Sequence, residues 1–598
     1  MEAVMSKTAL QGGEFLIKDS LAEDIFIPEE LNEEQRMIHE TVRDFLHNEI
    51  FPNIEKIENQ EDNLAPRLLE KMAELGLLGT HMPEIYGGLE LDTNTNTLIG
   101  DALGPAGAFT VSFAAHIGIG MLPILYFGTE AQKQKYLPRL INGELKAAYC
   151  LTEPGSGSDA LAAKTRADLS ADGKNYLLNG QKMWISNAGF ADLFIVFAKI
   201  DGDKFTGFIV ERDSAGLTLG AEEKKLGIKG SSTRQVFFEN TPVSVDNVLG
   251  QIGKGHLIAF NALNIGRFKL CSLSLGGAKY SVTTAVRYAN ERIQFGVPIA
   301  SFGAIQHKLA EQSIRIFSTE SALYRVSNLL ELKKQEYEAK GADFAQSKLK
   351  AAEEYAIECS ILKVTGSEAL DFVVDETLQV HGGMGFSEEG TAARAYRDAR
   401  INRIYEGTNE INRLLSIDML LKRAMKGTLD IVGPAWEVQK ELASMPGFDK
   451  EEGPYAEERK AVKDFKKAVL MVAGAAAKLQ MEGKLDLKNE QEIIMNVADM
   501  LSDLFLAESL LLRVEKLAGM TGKVKQEVYD AILRVFIHDA TLRMNKNGTD
   551  ALASFAEGDL LRTMLMGLKR FTKYPAQNVK TLRRMVADVL IDANEYAF

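Results

Sequence analysis

The feature that most constrains this chain is a change of hydrophobic period that happens twice along it. From about residue 31 to 145 apolar residues recur at helical spacing. In "LNEEQRMIHETVRDFLHNEI", Met37, Ile38, Val42, Phe45 and Leu46 recur at helical spacing. Asn32 and Gln35 stand ahead of them as an N-cap and its capping-box partner. Similar runs follow at "APRLLEKMAELGLLG" and "GTEAQKQKYLPRLING", separated by the glycine-rich loop "PEIYGGLELD". Near residue 146 the texture becomes short segments rich in Val, Ile, Phe and Tyr: "AAYCLTE", "YLLNGQKMWISN", "ADLFIVFAKI", "FTGFIVER" and "RQVFFENTPV". Turn signals such as "ADGKN" and "DGDK" divide them, which predicts the strands of a sandwich or barrel. Helical patterns return over 252–425. "GPAWEVQKELASMPGFDKEEGPY" is broken repeatedly by Gly-Pro pairs and reads as a linker. The expected organisation is α+β: an irregular arm over 1–30, a helical domain over 31–145, a middle β domain over 146–251, a helical bundle over 252–425, a linker over 426–455 and a C-terminal helical domain over 456–598.

Charge narrows the function. The 598 residues carry a net charge of −14, a surface that repels phosphate backbones and argues against nucleic acid. Three cysteines, Cys150, Cys271 and Cys359, lie far apart with no CxxC pair, so neither a zinc site nor a redox dithiol is indicated. Their spacing suits a reducing compartment. The first thirty residues lack a basic segment followed by an apolar run. No uninterrupted apolar run of about 18 residues is evident, so no membrane span is expected. The expected location is cytoplasmic.

Four motifs could carry chemistry, and each has a plainer structural reading. "YCLTEPGSGSDA", Tyr149 to Ala160, follows a strand and offers backbone N–H groups and hydroxyls to a phosphate or heterocycle edge, or it is a surface turn. In "KMWISNAG", Trp184 beside Ser186 could wall a planar ring, or pack in the core. In "YANERIQFG", Arg292 could meet a diphosphate, or cap a helix end. In "QVHGGMGF", Gln379 to Phe386, paired glycines permit close backbone approach, or end a helix. A fifth stretch, "RIYEGTNEI", sets Glu406 just ahead of an apolar helical pattern. There an acid is ordinarily explained by the helix dipole.

Taken together, in this order and spacing, these segments resemble the acyl-CoA dehydrogenase family over about residues 30–420. The helical extension to 598 looks like that of the very-long-chain branch, as do "LNIGRF" and "CLTEPGSGSDA". The resemblance implies FAD held between the β domain and the second helical domain. Tyr149, Leu151, Thr152, Gly157 and Ser158 match the segment lining the isoalloxazine, and Ser158 also matches a residue touching the CoA chain. Trp184 and Ser186 look like the flavin wall. Arg292, Gln294 and Phe295, with Gln379 and Gly383, resemble contacts made to the FAD of a neighbouring subunit, which implies at least a dimer. Thr408 and Glu410 match FAD-holding positions, although the second is more often glutamine. Asn264 and Arg267 match a pair on the helix that grips acyl-CoA. Tyr405 and Gly407 flank Glu406 as in relatives, with Gly407 leaving room for a thioester.

On this resemblance Glu406 is the base that removes the proton beside the thioester carbonyl, FAD takes the β-hydrogen as hydride, and the product is a trans-2-enoyl-CoA. Electrons then pass to an electron-transfer flavoprotein, in fatty acid β-oxidation. Some members carry the base on the substrate helix immediately before the arginine. Here that position is Gly266, which favours Glu406. Small residues in "AFTVSFAAHIGIGMLP" (Ala114, Ala115, Gly118 and Gly120) imply either a deep channel for a long chain or close helix packing. The tail implies a homodimer. Membrane association is possible for this branch, but no strongly basic amphipathic stretch indicates it. The competing readings are an acyl-CoA oxidase and a vestigial assembly or scaffold protein of the same fold.

Overall fold

The computed structural model describes residues 9–442 and 452–598. Its first helix, Glu33–Phe45, starts as the sequence predicts: Asn32 Oδ1 accepts from the Gln35 amide at 2.9 Å, and Gln35 Oε1 accepts from the Asn32 amide at 3.0 Å. Further helices, among them Leu64–Glu74, Thr93–Leu103 and Glu130–Ile141, complete the N-terminal region. The run Ala108–Phe127 is α-helical over Ala108–Ala114, widens to a π turn over Ala115–Gly120 and resumes over Leu122–Phe127. Although Thr110, Ser112 and His116 interrupt it, an 18-residue window of this 20-residue run has a mean hydropathy of 1.7, long and apolar enough to cross a bilayer by length and composition alone. In the fold 83% of that segment is buried inside the protein.

The middle region is one mixed sheet of eight strands: β1 Ala147–Cys150, β2 Arg166–Leu169, β3 Asn175–Ser186, β4 Leu193–Ile200, β5 Lys204–Glu211, β6 Leu217–Glu222, β7 Thr233–Ser244 and β8 Val248–Leu249. The order is β6-β7-β3-β2-β4-β5-β8, with β1 pairing β4. Strand β4 is a nearly continuous apolar run because both its faces are covered. β1 and β2 both pair with it in parallel, β1 from Ala147↔Leu193 to Cys150↔Val196 and β2 at Arg166↔Lys199 and Ala167↔Ile200. They therefore lie end to end along one edge, and residues 151–165 leave the sheet between them. The sequence did not reveal β2, β6 or β8: β2 and β6 are short and carry exposed polar residues, and β8 is only two residues long.

The second helical region is built on three long helices, Gly255–Glu291, Gly303–Ala339 and Ala356–His381. One hydrophobic core joins them to the C-terminal helices, from Phe15 in the arm to Phe598 at the end. Two expectations change here. The described part of the arm, from residue 9, folds as three short 3₁₀ turns, and it buries Phe15, Leu16, Ile25 and Ile27. The expected linker contains the helix Val432–Leu442, while residues 443–451 lie outside the described part. Buried ion pairs cross the same seam: Arg513 contacts Glu29 and Glu320, each at 2.7 Å, and Arg325 contacts Glu508 at 2.8 Å.

Candidate active site

Glu406 sits in a two-residue left-handed turn, with φ +59° at Glu406 and +80° at Gly407. A non-glycine residue in this region is strained, and such strain concentrates at functional sites. The turn is held from below by the buried Asn412. Its Nδ2 donates to the carbonyls of Gly407 at 2.8 Å and Thr408 at 3.0 Å, with a longer contact of 3.4 Å to that of Glu406. Arg267 Nε also reaches the Glu406 carbonyl at 3.4 Å, while Arg267 Nη1 donates to Asn264 Oδ1 at 2.8 Å. Arg267 is buried and forms no ion pair among the described residues. Arg267 thus links Asn264 to the Glu406 turn.

The Glu406 carboxylate lies against Gly266. A Cβ built there would be 2.6 Å from Oε2. Oε2 is sealed from solvent and accepts no hydrogen bond. Glu406 lines a cavity of about 190 Å³, whose walls include Gly266, Tyr405, Ser186, Ala114, Ala115 and Gly118. Burial pushes the Glu406 carboxyl up to about 7, against the pull of Arg267 and Lys363. Lys363 is itself buried, donates to Asn409 Oδ1 at 2.7 Å and is pushed down by burial to about 7. The backbone N–H of Glu406 donates to no group among the described residues. Tyr405 donates its hydroxyl to Asn402 Oδ1 at 2.7 Å. Thr408 is the N-cap of the helix Asn409–Met425, its Oγ1 accepting from the Ile411 amide at 3.2 Å. Glu410 is exposed in the first turn, its carboxyl held low by its own backbone amide and by the Thr408 hydroxyl.

The loop between β1 and β2 is anchored by a pair that sequence reading missed. Lys182, fully buried on β3, donates to Glu153 at 2.7 Å and to the Leu151 carbonyl at 3.2 Å. Glu153 also accepts the amides of Lys164 and Thr165 at 2.6 and 3.1 Å. Burial alone would raise the Glu153 carboxyl, but the Lys182 ammonium and these donors hold it low. The Met183 amide donates to the Thr152 carbonyl at 2.9 Å, so Leu151 and Thr152 lie against β3. Gly157 and Ser158 are exposed, and nothing lies within 4 Å of a Cβ built on Gly157. Next along β3, at a break in register, Trp184 adopts φ +57° and is 60% exposed, which rules out the core-packing alternative. Tyr149 is buried against Phe197, yet its hydroxyl has no partner.

Other expected residues lie apart from the cavity. Arg292 caps the helix Gly255–Glu291, and Gln294 and Phe295 belong to a two-residue hairpin, with φ +53° at Phe295 and +83° at Gly296. Phe295 is 93% exposed. Gln379 and Gly383 are exposed where the helix Ala356–His381 ends. The small residues of the apolar helix divide between the two readings offered for them. Ala114, Ala115 and Gly118 line the cavity, whereas a Cβ on Gly120 would meet Ala147 Cβ at 2.7 Å, so Gly120 serves packing.

The models for the acyl-CoA dehydrogenase N-terminal, middle and C-terminal domains match residues 32–144, 148–241 and 253–421, and a further acyl-CoA dehydrogenase C-terminal domain model matches 464–570. The chain is 45% identical over 586 residues to a probable acyl-CoA dehydrogenase of Bacillus subtilis (strain 168), covering 98% of each. The chain belongs to the acyl-CoA dehydrogenase family. The human very long-chain specific acyl-CoA dehydrogenase is 40% identical over 405 residues, which are 65% of this chain and 58% of that one. The crystal structure of an acyl-CoA dehydrogenase complexed with FAD from Bacillus anthracis superposes with a TM-score of 0.95 at 46% identity, covering 99% of this chain and 100% of that one. The butyryl-CoA dehydrogenase of Megasphaera elsdenii, at 34% identity and a TM-score of 0.58, covers 65% of this chain and 99% of its own.

Proposed function

We propose that this acyl-CoA dehydrogenase uses FAD to oxidise long-chain fatty acyl-CoA to the trans-2-enoyl-CoA, with Glu406 as the base. The observation that carries the assignment is a buried, unpartnered Oε2 on a strained, half-buried glutamate at a cavity wall, with its carboxyl poised at about 7. A carboxylate accepting several hydrogen bonds would be stabilised as the anion and would be a poor base; this one accepts none on Oε2. Desolvation brings its basicity toward neutral pH.

The residues present fit the cofactor. The anchored loop, the outward-facing Trp184 and the orphaned Tyr149 hydroxyl offer a planar wall and polar edges. Tyr149, Leu151, Thr152, Gly157, Ser158, Trp184, Ser186, Thr408 and Glu410 would hold FAD on one side. Arg292, Gln294, Phe295, Gln379 and Gly383, exposed and away from the cavity, would reach it from a second copy in a homodimer. When bound, FAD supplies the acceptor for the hydride leaving the β-carbon. The Glu406 carboxylate takes the α-proton while the C–C double bond forms. The free N–H of Glu406 is available to the thioester oxygen, where negative charge develops. Arg267 and Asn412 hold the turn that carries both groups. The small wall at Ala114, Ala115 and Gly118 supports a long acyl chain. An electron-transfer flavoprotein is the proposed acceptor of the electrons.

The test is Glu406→Gln holoenzyme mixed anaerobically with palmitoyl-CoA. It should bind the thioester, perturb the flavin spectrum and leave the flavin oxidised. Bleaching at the wild-type rate would remove Glu406 from this role.

A further inference from the structure

Beyond the cavity beside Glu406 lies a second chamber, of about 100 Å³, that shares Ala114, Lys269 and Leu273 with it as a common wall. It holds none of the groups assigned to the reaction. What it holds is positive charge. Lys269 lies one turn beyond Gly266 on the same helix, so its stem starts on the face that carries the Glu406 carboxylate, about 4.5 Å further along the axis. Its Nζ is buried and has no hydrogen-bond partner. Lys348, from the helix Phe344–Glu354, adds a second amine, which donates only to the His81 carbonyl, at 3.2 Å.

The other charged groups at this chamber are already matched. Lys334 pairs with Glu331 at 3.6 Å and Glu338 at 3.3 Å. Glu331 also accepts the amide and hydroxyl of Thr93, at 2.9 and 2.7 Å. Glu90 is exposed. His81 is buried and kept neutral, its Nε2 bonded to the Ile117 carbonyl at 2.8 Å and its Nδ1 unpartnered. The surplus is therefore two amines with no counter-charge in contact. Burial pushes Lys269 down to about 7, and the nearby Lys348 ammonium pushes the same way. A methyl-ended chain would leave these donors against hydrocarbon, whereas an anion would satisfy both.

We infer that this chamber receives the far end of an acyl chain bearing a terminal carboxylate, with Lys269 and Lys348 as its cationic partners, so that ω-carboxyacyl-CoA thioesters are preferred substrates. The inference rests on the dehydrogenase reading above and narrows its substrate class. The step at Glu406 is unchanged; the lysines act only in binding.

The experiment uses FAD-loaded full-length protein and matched ladders of methyl-ended, ω-hydroxy and ω-carboxy acyl-CoA, from octanoyl to hexadecanoyl length. Anaerobic bleaching rates and dissociation constants are read for each. At the length that reaches the chamber, the ω-carboxy thioester should bind roughly tenfold to a hundredfold tighter than its methyl-ended counterpart. Lys269→Met should abolish that margin and improve methyl-ended chains, a change of opposite sign that a misfolded variant cannot produce. Lys348→Met should reduce the margin in part. Preference for methyl or hydroxyl ends at every length, or a carboxylate margin unchanged in Lys269→Met, overturns the inference. Methyl-ended chains that still bleach the flavin then leave the dehydrogenase reading standing. If no thioester bleaches it, both fall.

Discussion

Gly266→Ala isolates the geometry of the base from its chemistry, because it adds one methyl group and no charge. The added Cβ would stand 2.6 Å from Glu406 Oε2, 2.9 Å from Cδ and 3.2 Å from Oε1. Ordinary contact begins near 3.4 Å, so Oε2 must withdraw by about 0.8 Å. The backbone beneath cannot follow easily, since Asn412 and Arg267 hold the turn from two sides. A displacement approaching 1 Å costs up to about a hundredfold in a positioned reaction. The expected bleaching rate is therefore about tenfold to a hundredfold lower, or roughly 1.4–2.7 kcal/mol of barrier. Stability should move the other way, because alanine replaces glycine inside a helix, a gain of up to ~1 kcal/mol. Stopped-flow bleaching with saturating acyl-CoA and a thermal melt of the same holoenzyme give both readings. A wild-type bleaching rate at full FAD content would refute the placement of the carboxylate over Gly266. A melting temperature lower by several degrees would put the clash on the helix backbone instead.

Other perturbations have equally definite signs. If Glu406 is the base, the wild-type bleaching rate should fall as pH is lowered through about 7, because its raised carboxyl can accept a proton only when ionised; a flat profile across roughly one pH unit either side of that value would contradict it. Lys363→Met removes a cation that favours the ionised form, so the midpoint should move to higher pH. Lys182→Met leaves the buried Glu153 without its partner and should destabilise the protein by about 3–5 kcal/mol, with loss of FAD seen as a falling flavin-to-protein absorbance ratio. Arg513→Met leaves Glu29 without its cation in the seam between arm and tail, while Glu320 keeps Lys279, and should lower stability by about 3–5 kcal/mol in urea, with little change in the bleaching rate per bound flavin.

Much of this fold was readable because local signals agree with the tertiary context. The capping box at Asn32 is complete within four residues, and the unbroken apolar run of β4 announces a strand covered on both faces. The helix Val432–Leu442 was concealed by its own Gly-Pro pair, which reads as a break although proline is tolerated in a first helical turn. Trp184 shows the limit of periodicity: a tryptophan in a β-rich stretch suggests a core residue, yet a break in register turns it outward. The acid in "TEPGSG" was visible, but its tie to Lys182 spans 29 residues and depends on strand pairing. Asn412 lies six residues beyond Glu406, and only its position under a left-handed turn shows what it does. Lys269 looks like an ordinary helix lysine in sequence; its orphaned amine appears only when two cavities meet at its side chain.

The close approach of Glu406 to the bare face of Gly266 also bears on how such a site could change over time. The resemblance offers two positions for the base, 406 and 266, and here both line one cavity, with a Cβ at 266 falling 2.6 Å from Glu406 Oε2. A side chain arriving at 266 before Glu406 has gone would collide with it, and loss of Glu406 first would leave no base at all. The two positions are therefore tenants of one room, and a base proposed at 406 would move to 266 most readily through a paired change, Glu406→Gly with Gly266→Glu.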